Sequence, residues 1–301
     1  MYIGKFEYND NIMKVNKAVI LAAGKGTRFL PYSKAHPKEM LAVIDRPSLQ
    51  LIVEEVVASG ITDILIVISP EKQDIKRYFE QDTALEQELN ARGKIKEAKA
   101  VAEINNLANI QFVYQIEPKG TGDAIMLARE WTQGEPFVVL NGDDVMFGDK
   151  PVTRQLVEAY ERVGYSVVGV QSVNRQAIGA YASCKVVQMD GRLYHLQDIV
   201  EKPKTESEIF SLLAPLGRYL FTSAIFDEIA KAPWRNGEVY VTDAIRSLAK
   251  TSSVYAFDFE GERYDFGDKF GYIKGFTVYA LNSVEYGEQY KQFLQNLLKK
   301  K

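Results

Sequence analysis

Cysteine occurs once in these 301 residues, at Cys184, and histidine twice, at His36 and His195. One thiol cannot close an internal disulfide, and so few sulfur and imidazole ligands cannot build a multi-cysteine zinc site. A disulfide-stapled scaffold is excluded, and a reducing cytoplasm is the expected home. Cys184 sits in Ser183-Cys184-Lys185-Val186-Val187, which reads as a strand, so a packed thiol is expected rather than a nucleophile. Neither histidine belongs to a serine- or cysteine-based hydrolase motif. No apolar run reaches the ~18 residues that suggest a bilayer crossing. Residues 1–16, which include Asn9, Asp10 and Asn11, lack the apolar core of a signal peptide and read as an extension before the first strand. Positive charge is not in excess either: 37 Lys and Arg face 40 Asp and Glu, a net charge of −3. A nucleic-acid partner, which usually demands a basic domain, is not expected.

What is present is the ordinary mixture of a soluble globular chain, 46% hydrophobic and 26% charged. From Lys17 strand and helix alternate as a parallel sheet requires. Ala18 to Leu21 is a buried strand. Ser48 to Ser59 follows as a helix, with Leu49, Ile52, Val53, Val56 and Val57 on one face, Pro47 before it and Gly60 ending it. Ile64 to Ile68 is a continuous apolar run and predicts a central strand. Residues 80–106 predict one or two exposed helices with a weak stripe of Leu85, Leu89, Val101 and Ile104. Ile110 to Tyr114 and Pro136 to Leu140 resume the strands, with a helix from about Asp123 to Trp131 between them. Beyond Pro151 the alternation loosens, with strands at Tyr165 to Val173, Ser183 to Met189, Arg192 to Val200 and Val254 to Phe259. Asp190-Gly191 marks a turn between two of them. Val241 to Lys250 and Lys269 to Asn282 read as helices. Val284 to Leu298 places Tyr286, Tyr290, Phe293, Leu294 and Leu297 on one face, so it should pack on its own core or on a second subunit. No repeat or linker separates the halves, which predicts one continuous sheet.

The chemistry concentrates in a few segments. Leu21-Ala22-Ala23-Gly24-Lys25-Gly26-Thr27-Arg28 leaves the first strand with two glycines and two cations, a backbone suited to polyphosphate. It lacks the third glycine of a dinucleotide fingerprint, since Phe29 stands there, and the Gly-Lys-Ser/Thr ending of a Walker loop. Pro37-Lys38-Glu39-Met40-Leu41 is a second cationic segment. Val138 to Leu140 ends in Asn141-Gly142-Asp143-Asp144, two carboxylates at a strand terminus, where an α/β sheet places its ligands. Such oxygens suit Mg²⁺, and they equally suit a turn or helix cap. Asp265 is a remote second carboxylate. Val200-Glu201-Lys202-Pro203 pairs an acceptor for sugar hydroxyls with a cation for a phosphate, although such a pair is ordinarily a solvated surface feature. In Lys119-Gly120-Thr121-Gly122-Asp123 the glycines permit close approach to a flat base. Gln115 can address the base edge through both its donor and its acceptor.

Together these segments resemble the bacterial UTP:glucose-1-phosphate uridylyltransferases of the sugar-nucleotide pyrophosphorylase superfamily. The likeness runs from Ala18 to about Tyr286. It rests on Ala23-Gly24-x-Gly26-Thr27-Arg28-x-Leu30-Pro31, Lys34-Ala35-x-Pro37-Lys38-Glu39-Met40-Leu41, Gly60-Ile61-Thr62-Asp63 and Lys119-Gly120-x-Gly122. Val200-Glu201-Lys202-Pro203, Gly217-Arg218-Tyr219, Thr242-Asp243-Ala244-Ile245 and Asp265-x-Gly267-Asp268-Lys269-x-Gly271-Tyr272 complete it. The resemblance implies a Rossmann-like α/β fold with a mixed, mostly parallel sheet and a smaller β-rich part for the sugar. The expected division is 17–283 for the nucleotidyltransferase domain (17–150 for nucleotide, 151–283 for sugar phosphate) and 284–301 for a C-terminal helix. It also implies that Ala22, Ala23, Gly24 and Gly26 meet the nucleotide, that Arg28 and Lys38 hold the triphosphate, and that Gln115 and Gly120 read the uracil. Asp143 and Asp265 would bind Mg²⁺, while Glu201, Lys202 and Gly217 would take the sugar phosphate. A homodimer or homotetramer is expected.

Three departures mark this chain against the family pattern: Asn141-Gly142 for Leu-Pro, Asp123 for a common histidine, and Ala182 for a glycine after Ala180-Tyr181, which would add a methyl where the sugar lies. The expected reaction is transfer of UMP from UTP to glucose 1-phosphate, with UDP-glucose and pyrophosphate as products. A thymidylyl- or cytidylyltransferase and a non-catalytic sugar-nucleotide sensor are the alternatives. A nicotinamide oxidoreductase is disfavoured by Phe29.

Overall fold

Nine strands form one continuous sheet in the computed structural model, which describes residues 12–300. In chain order they are β1 (Lys17–Leu21), β2 (Asp63–Ile68), β3 (Asn109–Tyr114), β4 (Phe137–Asn141), β5 (Ser166–Ser172), β6 (Ala182–Asp190), β7 (Leu193–Glu201), β8 (Leu213–Phe221) and β9 (Val254–Asp258). Their order across the sheet is β3-β2-β1-β4-β8-β5-β9-β7-β6. The first four are mutually parallel. β8 runs antiparallel to both β4 and β5, while β9 is parallel to β5 and antiparallel to β7. The mixed, mostly parallel sheet is thus as expected. Part of the predicted 1–16 extension, up to Asn11, lies outside the described residues. Val15 is already buried in the core.

The period-two alternation of the central strands explains the three layers. Ala18, Ile20, Ile64, Ile66, Val138 and Leu140 point into one apolar cluster, beneath the helices Ser48–Ala58 and Val152–Val163. Val19, Leu65, Val67, Phe137 and Val139 point into the other, beneath Gly120–Met126, Ala224–Lys231 and Val241–Thr251. Each Val, Leu, Ile or Phe among them, fully removed from water, contributes roughly 1.5–3 kcal/mol before chain entropy is counted. Cys184 is buried in the second cluster, and burial pushes its thiol up to about 12, as befits a packed residue.

Several elements differ from expectation. The helix predicted at about Asp123 to Trp131 starts earlier, at Gly120, and breaks into Gly120–Met126 and Arg129–Thr132. Its opening glycines are demanded by packing: a Cβ at Gly120 would lie 2.6 Å from Val239 O, and one at Gly122 2.7 Å from Val239 Cγ1. Residues 80–106 form two helices, Thr83–Ala91 and Ile95–Asn105, packed as a hairpin. The helix Val152–Val163 and the strand β8 carried no expectation, since Pro215 and Gly217 break the apolar pattern of the strand. The C-terminal helix spans Gly287–Lys299, and its apolar face meets the rest of the chain at Tyr290, while Phe293 and Leu297 are exposed. Within the chain, only the start of that helix packs on the core.

Arg218, at 1% exposure the largest fully buried side chain, ties β8 to the sheet's helical cover. Its Nη2 donates to Glu55 Oε2 at 2.6 Å and to Asp144 O at 2.8 Å, and its Nε reaches Glu55 Oε1 at 3.1 Å. Arg218→Leu would leave the Glu55 charge buried without its counterion. A loss of about 3–5 kcal/mol is expected. Equilibrium denaturation checks this, and an unchanged midpoint would contradict it.

Candidate active site

The glycine loop is bound to β2 before it turns: Ala22 N–H donates to Val67 O at 2.8 Å. Gly26 then adopts φ 65°, a left-handed conformation that disfavours side chains, and Thr27–Phe29 follow as a single 3₁₀ turn. Lys38–Met40 forms a similar turn alongside. Lys72, which sequence reasoning overlooked, joins the two. Its Nζ donates to Ala22 O at 2.6 Å and to Glu39 Oε2 at 2.7 Å, with Glu39 only 1% exposed. Burial holds the Lys72 pKa down and pushes that of Glu39 up, each opposed by the other's charge. The N–H and C=O of Ala22 are both engaged inside the protein, so Ala22 supports the loop from beneath.

The two remote carboxylates meet because Asp144–Phe147 pairs antiparallel with Glu262–Asp265, with Asp265 opposite Asp144 in register. Phe266 N–H donates to Asp143 O at 2.7 Å and closes the junction. Lys38 Nζ forms an ion pair with Asp143 Oδ2, and Arg28 Nη1 lies 3.2 Å from Asp265 Oδ2. Burial works to raise the Asp143 pKa, but Lys38, Arg28 and Arg263 outweigh it and hold the carboxyl below its ordinary range. Lys38 is raised correspondingly: burial opposes its charge, and Asp143 and Glu39 prevail. Asp144 does not face the cleft beside Asp143 as expected. It is 1% exposed, bound to Arg263 at 2.6 Å and to Asn141 Nδ2 at 2.9 Å. Burial raises its pKa, with Asp143 and Asp265 adding to the effect against Arg263. Arg263 and Asn141 thus make Asp144 a brace behind the site. Arg263 could have been suspected from its place two residues before Asp265.

A cleft of about 530 Å³ brings together Ala23, Gly24, Lys38, Gln115, Gly120, Asn141, Asp143, Glu238 and Tyr240. A second hollow of about 490 Å³ shares Ala23, Lys25, Lys38, Gln115 and Pro118 with it and extends over Thr27, Ser33, Lys34 and Lys72. Tyr240 links the cleft to the sugar-side candidates, because Lys202 Nζ sits 5.6 Å from its ring centre. Glu201 accepts from Thr242 Oγ1 at 2.7 Å, and Lys202 Nζ lies 3.8 Å from Glu201 Oε1. The Lys202 side chain is 56% exposed and no closer ion pair holds it among the described residues. Gly217, at φ 70°, lies against Asp144 and Asn141, and a Cβ there would collide with the Asp144 carboxylate. Ala182 is 5% exposed within the second apolar cluster. Its methyl therefore packs in the core, correcting the expectation that it occupies the sugar's place.

Residues 17–280 match the family described as nucleotidyl transferase. A UTP–glucose-1-phosphate uridylyltransferase of Staphylococcus saprophyticus is 44% identical over 94% of this chain and 98% of its own length. One of Bacillus subtilis is 42% identical over 95% and 98%. The chain belongs to this uridylyltransferase family. Among solved structures, the UTP-bound enzyme of Acinetobacter baumannii superposes with a TM-score of 0.87 at 31% identity, covering 94% of this chain and 99% of that one. A UDP-glucose pyrophosphorylase complexed with UDP-glucose gives 0.79 at 33%, covering 88% and 98%. In this uridylyltransferase, then, the motif residues Ala23, Gly24, Lys38, Gln115, Gly120 and Asp143 line one cleft. Arg28 and Asp265 flank it through their ion pair, and Glu201, Lys202 and Gly217 approach from the β8 and β7 side. Tyr240, Glu238 and Lys72 are additions that only the fold reveals.

Proposed function

We propose that the chain transfers UMP from UTP to α-D-glucose 1-phosphate, forming UDP-glucose and pyrophosphate. The observation that carries this reading is the single cleft in which a polyphosphate-type loop, an acidic strand end and a base-reading amide meet, with a cation and a carboxylate beside it for a second substrate. An oxygen of the sugar phosphate attacks the α-phosphorus of UTP in line, and the bond from that phosphorus to the bridging oxygen breaks. The electron pair leaves with pyrophosphate. No protein nucleophile is needed, and a phosphate monoester with a second pKa of about 6 is already ionised near neutrality, so no general base is needed either. Gly24 and Gly26 bring main-chain N–H groups to the triphosphate. Arg28 and Lys38 neutralise the departing pyrophosphate, and Lys202 holds the sugar phosphate while Glu201 and Gly217 seat the hexose. Positioning and charge compensation supply the rate.

The donor set also fits Mg²⁺. A Cβ at Gly267 would lie 2.5 Å from Asp143 Oδ2 and 2.9 Å from Asp265 Oδ1, so two hard oxygens border one point, with Arg28 Nη2 at 2.6 Å from it on a side chain that a bound cation would displace. Among the described residues no group of three or more metal-ligating side chains forms a cage, which accords with an ion that completes its shell with water and phosphate. Asp143 and Asp265 would hold it, and when bound it supplies positive charge to the phosphate oxygens. Among the described residues no helix is long and apolar enough to cross a membrane.

Pyrophosphate release with a panel of nucleoside triphosphates and sugar 1-phosphates tests the reading. Preference for UTP with glucose 1-phosphate is expected, and turnover with another pair but not this one would refute it. Lys202→Ala should raise KM for glucose 1-phosphate by about tenfold or more, with KM for UTP changed much less. Equal effects on the two constants would remove Lys202 from the sugar phosphate.

A further inference from the structure

Gln115 is 7% exposed and lines both hollows. Its Nε2 donates to Gly120 O at 3.1 Å and to Asp123 Oδ2 at 2.8 Å. A primary amide has two N–H groups, and both are spent inside the protein. Turning the amide over would set its oxygen against a carbonyl and a carboxylate, so the two acceptors decide the orientation. Among the described residues the one buried side-chain nitrogen or oxygen without a partner is Asp243 Oδ2. Gln115 Oε1, which accepts from no donor among the described residues, therefore keeps contact with open space. The expectation that Gln115 offers a base both donor and acceptor is corrected: it offers an acceptor alone.

We infer that Asp123 sets the base preference of this site by locking Gln115 as an acceptor. The inference rests on the reading above that Gln115 faces the base. Uracil carries a donor at N3, which the locked Oε1 accepts. Cytosine carries a lone pair at N3, and two acceptors facing each other leave both desolvated and unpaired. Asp123 acts through Gln115 and is a positioning residue. Its chemistry matters because a carboxylate only accepts, whereas the imidazole common at this position in the family carries both a donor and an acceptor and does not by itself forbid the opposite orientation.

The test is equilibrium binding of UTP and CTP to the parent chain, Asp123→Asn, Asp123→Ala and Gln115→Ala, followed by calorimetry, with circular dichroism to verify folding. Asparagine keeps the shape and can donate to a reversed amide, while alanine removes the acceptor. Both variants should lower the CTP-to-UTP ratio of dissociation constants by about tenfold, the worth of one charge-assisted hydrogen bond. In a Gln115→Ala background Asp123→Asn should leave the ratio unchanged. A purely structural role would weaken both nucleotides alike. A ratio within about twofold of the parent in both Asp123 variants, or an equal fall without Gln115, overturns the inference. Because binding is the readout, a chain that discriminates as described yet fails to turn over UTP would refute the proposed reaction and leave this inference standing.

Discussion

Asp143→Asn is expected to lower turnover by about a hundredfold to a thousandfold while leaving thermal unfolding close to that of the parent. The size follows from what the carboxylate would do, holding the ion that offsets charge developing on the phosphates, a class of interaction worth ~10²–10³ in rate per donor elsewhere. Asparagine is chosen over alanine because the Lys38 side chain is 12% exposed and bonded to Asp143, and alanine would leave its ammonium facing an empty pocket. The amide keeps the shape and one acceptor, but not the charge. Steady-state kinetics over a range of Mg²⁺ decide the matter. Activity near that of the parent at saturating Mg²⁺ would remove Asp143 from the metal site.

Gly267→Ala should cost about a hundredfold in kcat with little loss of stability. The backbone of Gly267 does not occupy the left-handed region, so alanine fits its conformation. Its new methyl would meet Asp143 Oδ2 at 2.5 Å, Arg28 Nη2 at 2.6 Å and Asp265 Oδ1 at 2.9 Å. Those atoms are ends of side chains that can retreat at modest cost, but retreat separates the two carboxylates. Displacements of this order in a positioned site carry penalties of about a hundredfold. A variant with parental kcat would show that convergence of the pair is dispensable. By contrast, Gly217→Ala should lose both stability and activity, since φ 70° and the Asp144 carboxylate both oppose it.

The order in which the site became legible has a physical basis. Main-chain features announced themselves: the glycines at 24 and 26, the strand ending at Asp143 and the helix near Gly120 all follow from local conformational demands. Asp143 was recognisable as a strand-end carboxylate and Asp265 only as a remote second one, and their meeting depends on a short antiparallel ribbon, Asp144–Phe147 with Glu262–Asp265, whose two-sided polarity gives no periodic signal. Asp144 looked equivalent to its neighbour. Alternation along an extended chain sends successive side chains to opposite sides, and Arg263 claims the second one. β8 escaped notice for a related reason, since Pro215 and Gly217 interrupt it where its register with β5 shifts. Lys72 carried no motif at all. Its meaning lies in two acceptors, Ala22 O and Glu39, supplied by segments distant in sequence.

That lysine bears on how the cleft can move. Fastened at once to the loop after β1 and to the turn carrying Lys38, it rivets two walls of the cleft into one stiff panel. Neither can swing alone without breaking one of the two bonds made by the ammonium of a lysine that is only 7% exposed. The exposed ion pair of Arg28 with Asp265 and the bond from Tyr272 Oη to Ala42 O at 2.8 Å both join this panel to the segment that carries Asp265, and the exposed pair is the easier of the two to undo.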